Sequence, residues 1–166
     1  MAFAAFLVAT VPAYGQEPAH FTQEALALKN KADALLKKGN AKRAIAEYRL
    51  ALEHTADSTA LYFNLAIACY SDKKLGEASA ALEKLLEFDP RDIEALYNLA
   101  CLKICQSRPD QAKACLEKAS LLCAPGSRFK PMIRQSLDFL ELASRLEPTH
   151  RELLFSLLYQ NGLPTA

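Results

Sequence analysis

The strongest constraint on the fold of this chain is an internal repeat with a period of 34 residues. Asn64-Leu65-Ala66 returns as Asn98-Leu99-Ala100, and Leu82-Glu83-Lys84 returns as Leu116-Glu117-Lys118. Two unrelated strings that share one displacement are not explained by a composition rich in Ala and Leu. A fixed period in this range predicts a solenoid of helical hairpins, in which each unit buries its apolar face against its neighbours.

Three positions keep the same register across all three copies. Two of them hold a small residue each time, and the third holds a bulky one: Ala32, Ala66 and Ala100; Ala44, Ala78 and Ala112; and Tyr48, Leu82 and Leu116. Small residues let two helices approach closely, and large ones fill the space beside them. Composition agrees with helix, since Ala, Leu, Glu and Lys dominate, Gly is scarce at 5 residues and 51% of the chain is apolar.

On these residues the chain resembles the tetratricopeptide repeat family, with repeats at 25–58, 59–92 and 93–126. The resemblance implies an all-α fold, a right-handed superhelix of antiparallel helix pairs. The first repeat departs most from the family pattern, because Lys31 stands where Leu65 and Leu99 stand in the later copies. Residues 16–126 are therefore predicted to form one repeat domain.

Residues 1–15 are predicted to be either a signal peptide or an apolar N-terminal helix. The run from Met1 to Val11 is apolar apart from Thr10, and it is shorter than the ~20 residues that span a bilayer. Small residues suit a signal cleavage after Gly15, but no Lys or Arg precedes Lys29, so the basic start of a signal is missing. The alternative is a short helix that packs on the repeats.

Residues 127–166 are predicted to form capping helices. Apolar residues keep a helical spacing from 130 to 146, after the repeats end at Gly126. A further helix is expected after Pro148, with Thr149 and Glu152 at the spacing of a capping box, as Ser107 and Asp110 also are. These helices would cover the end of the third repeat; the alternative for the last one is docking to a partner or a contact in a homodimer.

The resemblance also implies a binding groove, because the first helix of each repeat lines the concave side and that side usually binds a peptide. Outward-facing positions of these helices are Lys29, Asp33, Phe63, Asn64, Ile67, Tyr70, Tyr97, Asn98, Cys101 and Ile104. Asn can pair with a peptide backbone whatever its sequence, and aromatic side chains can hold ligand side chains in pockets. The alternative is that these residues pack against the N-terminal segment or the C-terminal helix of the same chain.

Chaperone-binding members of the family hold a C-terminal carboxylate with a Lys, Asn, Asn, Lys and Arg clamp. The corresponding residues here are Lys29, Asp33, Asn64, Glu94 and Asn98. Asp33 and Glu94 place negative charge where an anion would bind, and like charges repel. A carboxylate clamp is therefore not expected.

Little in the sequence suggests catalysis, a cofactor or a metal. No Gly-rich phosphate loop, nucleophile elbow or HExxH motif occurs, and the three His are not spaced for zinc. The five Cys lie at apolar helix positions and are interpreted as small buried residues. A net charge of +1 does not indicate a basic surface that would bind nucleic acid. No apolar segment is long enough for an integral membrane span.

The expected function is a non-catalytic scaffold that binds a protein or peptide, exported after cleavage near Gly15 and working in a bacterial envelope or secretion-related assembly. An alternative is a cytoplasmic chaperone, since the layout is similar to the chaperones of type III secretion translocators, and free thiols suit a reducing compartment. A further alternative is a piece of a longer repeat protein.

Overall fold

The computed structural model describes residues 22–55 and 58–160, with side chains as far as Ser156. The predicted signal or apolar helix of residues 1–15 lies outside these residues. The described residues form helices throughout and contain no strand, which confirms the all-α prediction. In chain order the helices are α1 (Gln23–Lys37), α2 (Ala41–His54), α3 (Thr59–Ser71), α4 (Leu75–Phe88), α5 (Ile93–Cys105), α6 (Pro109–Leu122), α7 (Phe129–Ser144) and α8 (Pro148–Gln160).

The contacts divide the described chain after Pro90 into two compact units. In the first unit α1 packs on α2, α3 packs on α4, and α2 also contacts α3. The predicted small residues form the closest contacts, since Ala32, Ala44, Ala66 and Ala78 are each 0% exposed. Large neighbours such as Tyr48 fill the space beside them, as the register predicts.

The second unit, from Arg91 onward, holds the third helix pair and the two C-terminal helices. Helix α5 packs on α6, with Ala100 and Ala112 each 0% exposed. Helix α7 contacts both α5 and α6, and α8 contacts α5. The apolar spacing after the third repeat therefore forms helix and covers that repeat.

Each helix pair is joined by the same kind of turn, which has one residue in the left-handed backbone region. These residues are Gly39, Lys73 and Ser107, with φ of 75°, 60° and 56°. In the second turn the Lys73 N–H donates to Tyr70 O at 2.9 Å and the Lys74 N–H to Cys69 O at 2.8 Å. This is the Schellman pattern that satisfies the last carbonyls of a helix, and here it recurs with the sequence period.

Both predicted capping boxes are wrong. Ser107 has a left-handed backbone, and α6 begins after Arg108, which makes no side-chain cap; the helix starts with Pro109, whose missing N–H is harmless there. Thr149 lies inside the first turn of α8, since that helix begins at Pro148. In both cases proline sets the helix start one or two residues away from the predicted cap.

Candidate peptide-binding site

Lys29 and Asp33, the first-repeat candidates, lie one turn apart on α1 and pair with each other. The Lys29 Nζ is 3.3 Å from the Asp33 Oδ2, and the buried Tyr48 hydroxyl of α2 donates to the other Asp33 oxygen. Burial raises the pKa of Tyr48, and the bond to Asp33 raises it further. The Lys29 ammonium is thus neutralised within the chain and is poorly suited to hold a ligand carboxylate.

The second-repeat candidates lie on α3, a helix that is buried around most of its circumference. Phe63, Asn64 and Ile67 are 3%, 7% and 6% exposed, and Tyr70 at the end of the helix is half-buried. They do not face open solvent as the outward-facing positions of the repeat would predict. Contact of these residues with a ligand stays a prediction, and it requires the groups that cover them to move.

The third-repeat candidates lie on α5 and are buried still more deeply. Tyr97, Asn98, Cys101 and Ile104 are each 2% exposed or less. Together with neighbouring apolar residues they make α5 the most buried helix of its unit. Their burial follows partly from the C-terminal cover, because α6, α7 and α8 all pack on α5.

Tyr97 is held by side chains of α7. Its ring centroid lies 6.0 Å from that of Phe129, and its hydroxyl is hydrogen-bonded with Ser136 and Cys101. Burial is the main cause that raises the pKa of Tyr97, and it raises the pKa of the Cys101 thiol to about 12. Both groups are therefore neutral at physiological pH and act as an apolar ring and a small apolar side chain.

A second contact fastens the start of α7 to α5. The Arg128 guanidinium lies 3.5 Å from the Glu94 carboxylate, and Glu94 is almost fully buried. Glu94 is one of the positions at which the family's clamp carries a cation. Here an acidic residue stands at that position instead, and its charge is balanced by Arg128 of the same chain.

Asn98 differs from the other candidates, because its side-chain amide has no partner. Both the Nδ2 and the Oδ1 are buried and make no hydrogen bond. A buried amide without partners costs about 1–3 kcal/mol, and native proteins leave few of them. The corresponding Asn64 keeps 7% exposure, against 1% for Asn98, and its amide is not among the buried unpartnered groups.

Sequence reasoning missed the residues that cover α5, namely Arg128, Phe129 and Ser136. They lie beyond the repeat, so no 34-residue register marks them. Their only signal is the helical spacing of α7. The described residues hold no group of three or more His, Cys, Asp or Glu that could bind a metal. All five cysteines are free thiols, and no described helix is long and apolar enough to cross a membrane.

Comparison with known proteins supports the repeat. Two family models described as tetratricopeptide repeat match residues 35–100 and 93–124. A search of the curated proteins found no match.

Solved structures show the same fold at low sequence identity. The first TPR domain of Spaghetti (RPAP3) bound to the HSP90 peptide SRMEEVD is 21% identical, with a TM-score of 0.67 over 78% of this chain and 100% of that one. The Yersinia enterocolitica type III secretion chaperone SycD in complex with a peptide of the translocator YopD is 13% identical, with a TM-score of 0.68 over 75% and 97%. The Arabidopsis OM64 TPR domain is 19% identical, with a TM-score of 0.62 over 71% and 94%. With its three helix pairs and their 34-residue register, the chain belongs to the tetratricopeptide repeat family.

Proposed function

We propose that the protein is a non-catalytic scaffold that binds a peptide segment of a partner protein, with Asn98 as the group that pairs with the peptide backbone. The observation that carries this proposal is the unpartnered amide of Asn98. A peptide unit offers one N–H donor and one carbonyl acceptor, which match the Oδ1 and the Nδ2 of Asn. Binding would relieve a cost that the free protein bears.

Access to Asn98 requires movement, since the residue is 1% exposed. Two polar contacts join α7 and the residue before it to α5: the Glu94–Arg128 ion pair and the Tyr97–Ser136 hydrogen bond. Such contacts break at a cost of a few kcal/mol at most, so a ligand with several contacts can replace them. We therefore propose that α7 shifts when the peptide binds.

The solved structures support the binding class without identifying the ligand. The Spaghetti domain is bound to an HSP90 peptide and SycD to a translocator peptide. The HSP90 peptide ends in Val-Asp. Of the three cations in the clamp that would receive such an end, the chain keeps only Lys29, which pairs with Asp33. A peptide bound through its backbone and apolar side chains suits this chain better than one bound through its carboxyl end.

The test separates a ligand-binding Asn98 from a structural one. Peptides are selected from a displayed random library on the wild-type protein, and their affinity is measured by isothermal titration. Asn98→Leu should leave the free protein as stable or more stable, because an unpaired buried amide is removed, while it weakens peptide binding by about 1–3 kcal/mol. Asn30→Leu, at an exposed position of α1, is the matched control and should change neither quantity.

Two results would contradict the proposal. If Asn98→Leu destabilises the protein and leaves the peptide affinity unchanged, Asn98 belongs to the core alone. If the library yields no peptide that binds at this site, the chain does not bind peptides through α5. Neither result changes the repeat fold, which rests on independent evidence.

The cellular setting is a separate proposal with two alternatives. We propose an exported scaffold in a bacterial envelope or secretion-related assembly, supported by the apolar run from Met1 to Val11. The alternative is a cytoplasmic chaperone of a type III secretion translocator, supported by the likeness to SycD and by the free thiols. Intact-mass analysis from the native host distinguishes them, because an exported chain begins near Gln16 and a chaperone retains its N-terminal residues.

A homodimer through the C-terminal helix belongs to the same proposal. Leu153 of α8 is 57% exposed and Leu142 of α7 is 64% exposed, so apolar surface remains on the cover. Sedimentation equilibrium of the wild-type protein and of Leu153→Ser should show a dimer that the substitution weakens. A wild-type monomer at all concentrations contradicts the dimer.

A further inference from the structure

A cavity of about 340 Å³ lies between α6, α7 and α8, away from the candidate residues on α5. Its size is within the range of small ligand sites, which hold a few side chains or one small molecule. We call the buried part of the cavity lining its floor, and this part is apolar, with Leu140 and Phe155 buried and Leu137 half-buried. The ring of Phe155 lies 6.2 Å from that of Phe139, and this contact helps to fix the floor.

The walls of the same cavity carry more acidic than basic groups. Two carboxylates come from α6 and two from α7, and the cations are one Lys and one Arg: Asp110, Glu117, Asp138, Glu141, Lys113 and Arg151. An opening with acidic walls attracts cations and raises their local concentration.

The partners of these charges leave two carboxylates available. Glu117 lies 3.9 Å from Lys113, and the carboxylate of Glu141 lies 2.8 Å from the guanidinium of Arg145. Asp110 and Asp138, by contrast, make no ion pair or hydrogen bond within the part of the chain that the structure describes. Both line the cavity, Asp110 from α6 and Asp138 from α7.

Arg151 does not neutralise the two free carboxylates. Its guanidinium donates to the carbonyl oxygens of Ala143, Ser144 and Leu146 at 3.1, 3.0 and 3.0 Å. Its donors are thus directed at the end of α7. The cation is held in place by backbone, and the acidic walls keep their excess of negative charge.

We propose that this cavity binds a basic, partly apolar segment of a partner protein, in which Lys or Arg alternates with Leu-like residues. The apolar floor would receive the aliphatic side chains, and Asp110 and Asp138 would receive the cationic heads.

The site is independent of Asn98, so its test is separate from the test of the proposed function. Fluorescence anisotropy is measured on the full chain with a labelled peptide of alternating Leu and Lys, and with matched Leu/Ser and Leu/Glu peptides. We expect the Leu/Lys peptide to bind best and to weaken as salt is added, because the pairs are solvent-exposed. Asp110→Asn combined with Asp138→Asn should weaken its binding by roughly threefold to tenfold.

The control variant removes two charges elsewhere. Glu53→Gln with Glu83→Gln neutralises two exposed carboxylates of the first unit and should leave the affinity within about twofold. Equal losses for the two double variants would show a general charge effect and overturn the site. So would equal binding of the Leu/Ser peptide, no binding of the Leu/Lys peptide, or a dimer whose formation blocks the peptide. Asn98→Leu should not change this affinity; a parallel loss would place the peptide at α5 instead.

Discussion

The guanidinium Nε of Arg151 lies 3.1 Å from the carbonyl oxygen of Ala143, and this contact joins the last two helices. The same side chain reaches the carbonyl oxygens of Ser144 and Leu146. The Ala143 and Ser144 carbonyls belong to the last turn of α7, and the Leu146 carbonyl lies in the loop after it. The last four carbonyls of a helix have no partner inside it, and the helix dipole is negative there. One planar cation thus satisfies several of them and fixes where α8 begins.

Replacing Arg151 by Lys should loosen α8 from α7. Lysine carries the same charge but has no planar fork, so it cannot reach three carbonyls at once. Since Arg151 is only half-buried, we expect a loss of about 1–2 kcal/mol, measured as faster amide hydrogen exchange in α8 and lower stability in urea. Arg145→Lys, at an exposed ion pair with Glu141, is the control and should change little. Unchanged exchange in α8 would show that its apolar side chains alone hold it.

Substitution of the left-handed turn residues by glycine should raise stability, whereas Arg151→Lys should lower it. Lys73 and Ser107 have φ of 60° and 56°, and the first turn has Gly39 at the same place. A side chain is disfavoured in this region by roughly 1 kcal/mol, and glycine is not. Lys73→Gly and Ser107→Gly should therefore each raise the free energy of unfolding by up to about 1 kcal/mol, whereas Gly39→Ala should lower it. Urea denaturation measures all three, and a fall in stability for both glycine variants would contradict the turn geometry.

These turns show what the sequence could and could not predict. The period of 34 residues fixes the helix pairs, because each repeat must bury the same face with the same small residues. The period does not reveal which residue of each turn has a left-handed backbone, since Lys73 and Ser107 are not glycines. Repeated position, and not residue type, is the only clue to their conformation.

The candidate site on α5 was predicted less well, for a related reason. Family register marks Tyr97 and Asn98 as positions of the groove, but burial is decided by what packs on them. That cover includes Phe129 and Ser136 of α7, which have no counterpart in the earlier repeats. A sequence pattern can predict the face on which a residue lies, but not whether a later helix covers that face.

Enlarging the small residues that recur in the register should destabilise both units. Ala66 and Ala100 are each 0% exposed, so Leu at either position must displace its neighbours. We expect a loss of about 1–3 kcal/mol for Ala66→Leu and Ala100→Leu through overpacking. Ala80→Leu and Ala114→Leu, at exposed positions of α4 and α6, should be close to neutral. Equal stability of buried and exposed variants would mean that the helix pairs are spaced more widely than described.

Weakening the contacts between α7 and α5 should improve ligand binding if the cover must move. Arg128→Ala removes the ion pair with the buried Glu94, and Ser136→Ala removes a partner of the Tyr97 hydroxyl. Each variant should lower the free energy of unfolding by about 1–2 kcal/mol. The affinity for a library-selected peptide should rise by at most the same free energy, and about 1.4 kcal/mol corresponds to tenfold. Lys130→Ala, an exposed neighbour, is the control. Lower affinity in both variants would show that α7 contributes to the site in its present position.

The buried thiol of Cys101 predicts a loss of stability at alkaline pH. Burial raises its pKa to about 12, whereas the unfolded thiol ionises near its ordinary value of about 9. Below that value both states are protonated and the contribution to stability is complete. As pH rises above it, the unfolded state loses a proton that the folded state keeps, so stability falls until the folded pKa is reached. At a pH of about 10.5 the loss from this group amounts to about 2 kcal/mol.

Other groups also titrate in this range, so the measurement compares the wild type with Cys101→Ala in urea at neutral and alkaline pH. The variant loses packing at every pH, but its stability should decline less steeply as pH rises. Parallel slopes for the two proteins would show that the thiol ionises in the folded state and that α5 is more open to water than its burial indicates.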